Sequence, residues 1–338
     1  MSNNWDMIEI NEMNKNANGG TELFMRYLYN GDIPRELLEQ FQIIPGRIRD
    51  LKEDKIRILT LHDLPDDPEC NMLKNNYYRN KFHKIVFISN WQSQLFHEKL
   101  NIPYTNHSIV IENGLKRFED SYLIKPNPQE MVNISYFTTP HRGLSILVPA
   151  FLKLAENDSK IHLHVHSSFK AYGWENGDKQ FEKLFEVCRN HPQITYHGFT
   201  EYNTLREKMK DYHIFAYPAV WKETACRAMI EAMGAGMLCI HPNHAALYDT
   251  SGGLNSMYNT SEILEEHFST FYQSLEIGIK SIRENILLDR LKFNKMFVDI
   301  RYDPLKITQI WISLLEYLIN KFSTIDSRKL PDDDIIFV

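Results

Sequence analysis

Two glutamates eight positions apart, Glu223 and Glu231, bracket the segment ETACRAMIEAMGAG, which closes on Gly234 and Gly236. Apart from Arg227, every side chain from Thr224 to Ile230 is small or apolar. The segment therefore reads as buried, and a buried helix rarely carries carboxylates without partners. A helix beginning just after Glu223 would present free backbone N–H groups and the positive end of its dipole, a site suited to phosphate. Glu231, further along the same helix, would offer acceptor oxygens to the hydroxyls of the same ligand. A nucleoside diphosphate sugar carries all of those groups. The competing reading of the spacing is a pair of solvated charges on an amphipathic surface helix.

Other positions offer less specific chemistry. Arg142, in TTPHRG, is a cation that can bind phosphate through two N–H groups at once and never loses its charge to titration. Its plain alternative is a surface arginine after a proline turn. Gly19 and Gly20, in NGGTE, give the backbone freedom for close approach to a ligand, with Thr21 capping the helix that follows, or else they form a simple turn. Glu22 argues against a pyrophosphate on that helix end, because like charges repel. His62 follows the run ILTL and precedes Asp63, and Asn113 with Gly114 forms a turn. A satisfied structural histidine and a tight turn are the ordinary explanations. His162, His164 and His166 alternate and so share a strand face, yet no carboxylate or cysteine completes a metal site. Asp66 and Asp67, in a proline loop, and Asp332 to Asp334, in a polar tail, read as solvated charge. No metal and no other cofactor is expected, since Arg142 and a helix N-terminus can neutralise a diphosphate.

These residues need elements to hold them, and the hydrophobic pattern supplies an α/β series. RILTLHD (57–63), KIVFIS (84–89) and SIVIENG (108–114) read as strands, with helices near 70–80 and 91–100. DSYLIKPNPQEMV, around 119–132, breaks the pattern and reads as a linker. A second series follows: strands at 133–138, 160–167, 194–198, 213–218 and 237–241, and helices near 143–157, 178–190, 201–210 and 224–235. Beyond about 260 the pattern is helical. Ligand groups in such sheets sit beyond the carboxyl ends of the strands, which puts His62, Asp63, Ser89, Asn90, Asn113 and Gly114 where a crevice should be. The first domain should open with a strand feeding its glycine loop, but MIEI (7–10) is short and far from Gly19, so that strand is missing or replaced by irregular chain.

At 338 residues two cores are expected. The net charge of -6 argues against a general nucleic-acid binder, which needs a basic face. No apolar run approaches the ~20 residues that span a bilayer, and the first residues lack a signal-like apolar core, so a cytoplasmic location is expected, with weak peripheral docking at a membrane left open. Cys70, Cys188, Cys226 and Cys239 lack metal-ligand spacing and read as reduced core thiols.

Four segments in order, NGGTE (18–22), VIENGL (110–115), SYFTTPHRGLSILVPAF (135–151) and YPAVWKETACRAMIEAMGAG (217–236), resemble the GT-B glycosyltransferases, in particular the large retaining family numbered four. The resemblance runs from about residue 16 to 320. It implies two Rossmann-like domains facing each other across a cleft: an acceptor domain over 1–125, a nucleotide-sugar donor domain over 126–303, a helix at 304–323 returning to the first domain, and a loose tail at 324–338. It implies Glu223, Arg142 and His62 as catalytic residues, with Glu223 near the transferred sugar, Arg142 on the diphosphate and His62 at the sugar. Glu231 would hold the ribose, and the backbone of Thr224, Ala225 and Cys226 would meet the sugar and distal phosphate. Asn113, Gly114, Gly19 and Gly20 would line the cleft, and Phe199, in HGFTEY, would lie near the base. One departure stands out: many members carry a second basic residue where this chain has Phe137, Thr138 and Thr139. The implied activity is retaining transfer from a UDP-sugar, or a GDP-sugar, to a hydroxyl acceptor on a glycan, lipid or protein. A GT-B nucleotide-sugar epimerase or hydrolase, and a non-catalytic nucleotide-sugar binding module, remain as alternatives.

Overall fold

The computed structural model describes residues 20–48 and 50–330. It divides into two compact units: described residues 20–114 with 302–330, and residues 115–301. The first unit opens with α1 (Gly20–Asn30), α2 (Arg35–Leu38) and β1 (Phe41–Pro45), followed by β2 (Ile56–Leu61), α3 (Asn76–Arg79), β3 (Lys84–Phe87), α4 (Asn90–Lys99) and β4 (Ser108–Val110). The four strands pair in parallel in the order β1-β2-β3-β4. β1, the segment FQIIP, is a strand that the hydrophobic pattern did not single out. It is short and contains Pro45, which as the last residue of an edge strand costs the ladder little. MIEI and Gly19 lie outside the described residues.

At two positions in this unit the structure adds to the sequence reading, correcting it at the first. Thr21 stands inside the first turn of α1, so it does not cap that helix. Ser89 caps α4 by accepting the Gln92 N–H at 3.0 Å, and both side chains are buried.

The second unit contains β5 (Val132–Tyr136), α5 (Leu144–Ala155), β6 (Ile161–Val165), α6 (Glu182–Asn190), β7 (Ile194–Tyr196), α7 (Tyr202–Lys208), β8 (Ile214–Ala216), α8 (Arg227–Gly234), β9 (Leu238–Pro242), α9 (Leu247–Ser251), β10 (Ser256–Tyr258), α10 (Leu264–Arg283) and α11 (Leu288–Arg301). α12 (Pro304–Lys321) then returns to the first unit. There its Ile307, Trp311, Leu314, Leu315 and Leu318 share a core with Phe24 and Leu28 of α1 and with Ile56 and Ile58 of β2. The six strands of the second unit are parallel, in the order β10-β9-β8-β5-β6-β7. Read from β7, this is the doubly wound order, and the direction of winding reverses between β5 and β8.

The break between the units falls at 114/115 rather than within the proline stretch, and at 301/302 rather than 303/304. The proline stretch does not act as a free linker because it is stitched into the second unit. Lys125 donates to Met209 O and Ala235 O at 2.8 Å each, and the His213 ring bonds Pro126 O at 2.9 Å.

Alternation on β6 leaves Ile161, Leu163 and Val165 buried, with His162 and His164 on the opposite face. His164 Nδ1 lies 3.2 Å from His197 Nε2, and the His166 and His197 rings stack at 4.0 Å. His166 also bonds Thr200 Oγ1 and Tyr212 OH, both at 2.7 Å. Among the described residues no three His, Cys, Asp or Glu side chains gather as a metal would require. Burial, with like charge from neighbouring imidazoles, pushes His164 down to about 3 and His166 to about 2, from an ordinary 6.5. Neutral rings are therefore a condition of folding. The stability they contribute is complete above the unfolded value and is lost as the pH falls below it towards the folded values. Each ring adds a slope of about 1.4 kcal/mol per pH unit. Urea unfolding at about pH 7, 6 and 5 should show this loss, and His164→Gln should flatten the slope.

Candidate active site

The reversal between β5 and β8 is where the crevice of a doubly wound sheet lies, and the loops leaving those two strands carry Arg142 and Glu223. After β5 the chain turns through Thr139, whose carbonyl accepts the Tyr136 hydroxyl at 2.9 Å, into a short 3-10 turn at Pro140–Arg142. After β8 it runs through Tyr217 and Pro218 to Glu223. The two loops touch: Val220 N–H donates to Arg142 O at 3.2 Å. Gly143, at φ 141°, lies so close that an added Cβ would stand 2.2 Å from Pro218 O. Only glycine permits that approach.

Arg142 Nη1 forms an ion pair with Glu223 Oε1, and Tyr217 OH donates to the same oxygen. Arg142 Nη2 donates to Tyr172 OH at 2.9 Å, and its Nε is buried without a partner. Burial opposes the guanidinium charge, but Glu223 and the two tyrosines outweigh it and raise the pKa. Burial, then Glu223, pushes the Tyr217 phenol well up, so it stays a donor. The His141 ring stacks on Phe169 at 5.1 Å and meets Trp221 edge-on at 5.0 Å. Burial, then Arg142, lowers it to about 4, so it is neutral near pH 7. Thr139 Oγ1, His141 Nδ1 and Arg142 Nε are all buried with no hydrogen bond. Thr138 Oγ1, in the same loop, is a fourth. Buried polar atoms are almost always paired, so orphans clustered in one short loop call for a polar ligand.

Glu231 sits in α8, 3% exposed. Its Oε2 pairs with Arg206, and its Oε1 accepts the Tyr202 hydroxyl at 2.5 Å and faces Arg227 Nη2 at 3.4 Å. Arg206 is further held by Lys116 O at 2.7 Å and by the Phe118 ring at 3.7 Å. The carboxylate is thus satisfied by its own chain.

α8 begins at Arg227, three residues later than the sequence suggests, so Thr224, Ala225 and Cys226 form a loop ahead of it. The reason is local. Cys226 is non-helical, and its N–H is drawn 3.4 Å from Thr250 Oγ1. Ala246 N–H, from the loop after β9, donates to Glu223 O at 3.1 Å. Of the groups just ahead of the helix, the Cys226 N–H is therefore spent on α9 and the Glu223 carbonyl on the approach to it.

Tyr217, Tyr202, Arg206, Tyr172 and His141 were not singled out in the sequence. Arg206 lies 25 positions from Glu231 on an ordinary amphipathic helix, and no spacing rule links them. His141, beside Arg142, could have been suspected from adjacency alone.

The remaining sequence-predicted residues fall in both units. Phe199, in the second, lies 6.0 Å from Lys170 Nζ. His62, Asn113, Gly114 and Gly20 belong to the first. The His62 ring packs on Phe24 at 4.8 Å, and burial lowers it to about 4. Asn113 is buried with Oδ1 unpartnered. An added Cβ at Gly114 would stand 3.1 Å from the Tyr27 ring, whereas one at Gly20 would meet nothing within 4 Å. Crowding thus explains Gly114 and not Gly20.

Asp67 caps the 3-10 turn at Pro68–Lys74, and Asp66 lies 3.5 Å from Lys99. Asp332 to Asp334 lie outside the described residues. All four cysteines are buried and unbridged.

No curated protein sequence matches the chain significantly. Among solved structures, a glycosyltransferase from Rickettsia africae superimposes with a TM-score of 0.63 at 14% identity, over 91% of this chain and 84% of that one. Anabaena Alr3699/HepE, solved with UDP and glucose, gives 0.58 at 16% identity over 78% and 72%. Sucrose-phosphate synthase from Thermosynechococcus elongatus gives 0.57 at 14% identity over 85% and 70%. At these identities the likeness establishes the fold. Residues 117–249, which hold Arg142, Glu223 and Glu231, match the family described as Glycosyl transferases group 1, and the chain as a whole has the parallel α/β fold of GT-B glycosyltransferases.

Proposed function

We propose that the protein is a retaining glycosyltransferase, of the family numbered four, that moves a sugar from a nucleotide-diphosphate sugar to a hydroxyl acceptor. The observation that carries this reading is the Arg142–Glu223 pair at the β5/β8 reversal, beside the orphaned Thr139, His141 and Arg142 atoms. A diphosphate placed there would meet Arg142 Nε, with Thr139 hydroxyl and His141 as further polar partners where other members carry a second cation. As the glycosidic bond breaks, charge builds on the departing phosphate, and a guanidinium already oriented by Glu223 and Tyr172 stabilises it without reorganising. Glu223 accepts from sugar hydroxyls while anchoring Arg142. The departing phosphate assists deprotonation of the acceptor, and no metal takes part.

Glu231 would hold the ribose: with Arg206 on Oε2 and Tyr202 and Arg227 on Oε1, a ribose hydroxyl takes the remaining acceptor site of Oε2 or replaces one of these partners. UDP is the favoured nucleotide, because the similar structures of Alr3699/HepE and of a pneumococcal O-GlcNAc transferase hold it. The first unit, with His62, Asn113 and Gly20, is assigned to the acceptor. Among the described residues no helix is long and apolar enough to cross a membrane.

The test incubates the purified chain with a panel of UDP- and GDP-sugars, with and without an acceptor extract, and measures free nucleotide. Acceptor-dependent release with the anomeric configuration kept is expected. Binding without turnover across the panel would remove the catalytic reading.

A further inference from the structure

A cavity of about 260 Å³ opens in the first unit, at the opposite end of its sheet from the strand carboxyl ends. Its walls come from the amino ends of β2 and β3, the residues just ahead of β4, and the end of α12 with the chain that follows. Four cations line it, Arg57, Lys84, Lys321 and Lys329, and no carboxylate does.

Each cation has a distinct setting. Arg57 is 1% exposed and donates to three backbone carbonyls, those of Lys81 at 2.6 Å, Lys52 at 2.8 Å and Lys55 at 3.2 Å. Lys84 is buried and donates to Asn106 O. Lys321 stands 5.4 Å from the Phe322 ring centre and 5.9 Å from that of Tyr317. Lys329 pairs with Asp326 at 2.7 Å, an exposed pair of the kind that contributes little, and the Glu53 carboxylate lies near enough to Arg57 to favour its charge without forming an ion pair.

Arg57, Lys84 and Lys321 form no ion pair among the described residues. Burial, with Lys321 nearby, lowers the Lys84 pKa, so the two ammonium groups repel across the cavity. Compensation of the α12 dipole explains Lys321, at its last turn, but not Arg57 or Lys84, which lie on strands. Holding like charges together around a cavity is unfavourable unless an anion joins them.

We propose that this cavity is an anion site that takes a small soluble phosphomonoester, separate from the nucleotide-sugar site of the second unit. Phosphate chemistry fits because a doubly charged headgroup can be shared among several ammonium and guanidinium donors. The volume sits just under the ~300–1,000 Å³ of drug-sized pockets, which favours a small metabolite over a lipid surface. Phe82, Phe322 and Tyr317 add apolar and aromatic wall for the carbon skeleton of the ester. The assignment does not depend on the proposed transferase activity.

The experiment titrates the full chain with glycerol phosphate by calorimetry, using wild type, Lys321→Glu, Lys84→Met and Arg142→Ala, each checked for folding by circular dichroism. Wild type is expected to saturate, and Lys321→Glu, at an exposed position, to weaken binding at least tenfold. Lys84→Met, if folded, should do the same, whereas Arg142→Ala should bind as wild type. No saturation below roughly 10 mM overturns the proposal. So does wild-type affinity in Lys321→Glu, loss of binding in Arg142→Ala, or binding seen only with phosphatidic-acid vesicles.

Discussion

Arg142→Ala is expected to lower donor turnover by about two orders of magnitude or more, the scale of losing one preorganised electrostatic donor at a developing charge. Arg142 joins the loop after β5 to the loop after β8 through an ion pair with Glu223, while its Nε stays unused. Lysine at this position should recover only part of the loss, because it keeps the charge and forfeits the fork that meets Glu223, Tyr172 and a phosphate oxygen together. The variant also leaves Glu223 buried without its counter-charge, so a melting curve must accompany the kinetics. A folded Arg142→Ala protein with near-wild-type kcat would defeat the proposed mechanism.

Glu231→Ala should act mainly on stability. The carboxylate stands between Arg206 and Arg227, with side-chain exposures of 4%, 10% and 18%. Removing it strands buried guanidiniums, and breaking such a pair costs about 3–5 kcal/mol. Urea unfolding should show that loss, and Arg206→Met combined with Glu231→Met should restore much of it, because the uncompensated Arg206 charge is then gone. Were Glu231 solely a ribose acceptor, nucleotide affinity would fall while the urea midpoint stayed in place. Equal midpoints for Glu231→Ala and wild type would therefore return the residue to a purely ligand-facing role.

Much of the fold was legible because hydrophobic periodicity is local. The strands at β2, β3, β5, β6, β8 and β9 and the long helices after 260 each advertise themselves within a few residues. β1 and β10 were missed: both are edge strands, β1 ending in Pro45, a residue that reads as a turn, and β10 only three residues long. The α8 start was placed three residues early because composition shows only that Thr224 to Cys226 are small. The contacts of Cys226 with Thr250 and of Glu223 with Ala246 belong to a distant stretch of chain. The proline segment looked like a linker for the same reason: the two carbonyls that hold Lys125 come from Met209 and Ala235.

The sequence by itself determined the chemistry available: two carboxylates in an apolar segment, an arginine after a proline turn, and an α/β pattern to carry them. Residue type and short-range spacing suffice for that, because ionisation, hydrogen-bonding capacity and helical or strand period are properties of a few neighbouring residues. Tertiary structure alone decided the pairing. Arg142 meets Glu223 because the strand order brings β5 beside β8, and Arg206 meets Glu231 because α7 packs where Lys116 O and the Phe118 ring can hold it. Those contacts span 81 and 25 residues of chain, distances over which no local rule operates and only the packing of the sheet and its helices selects a partner.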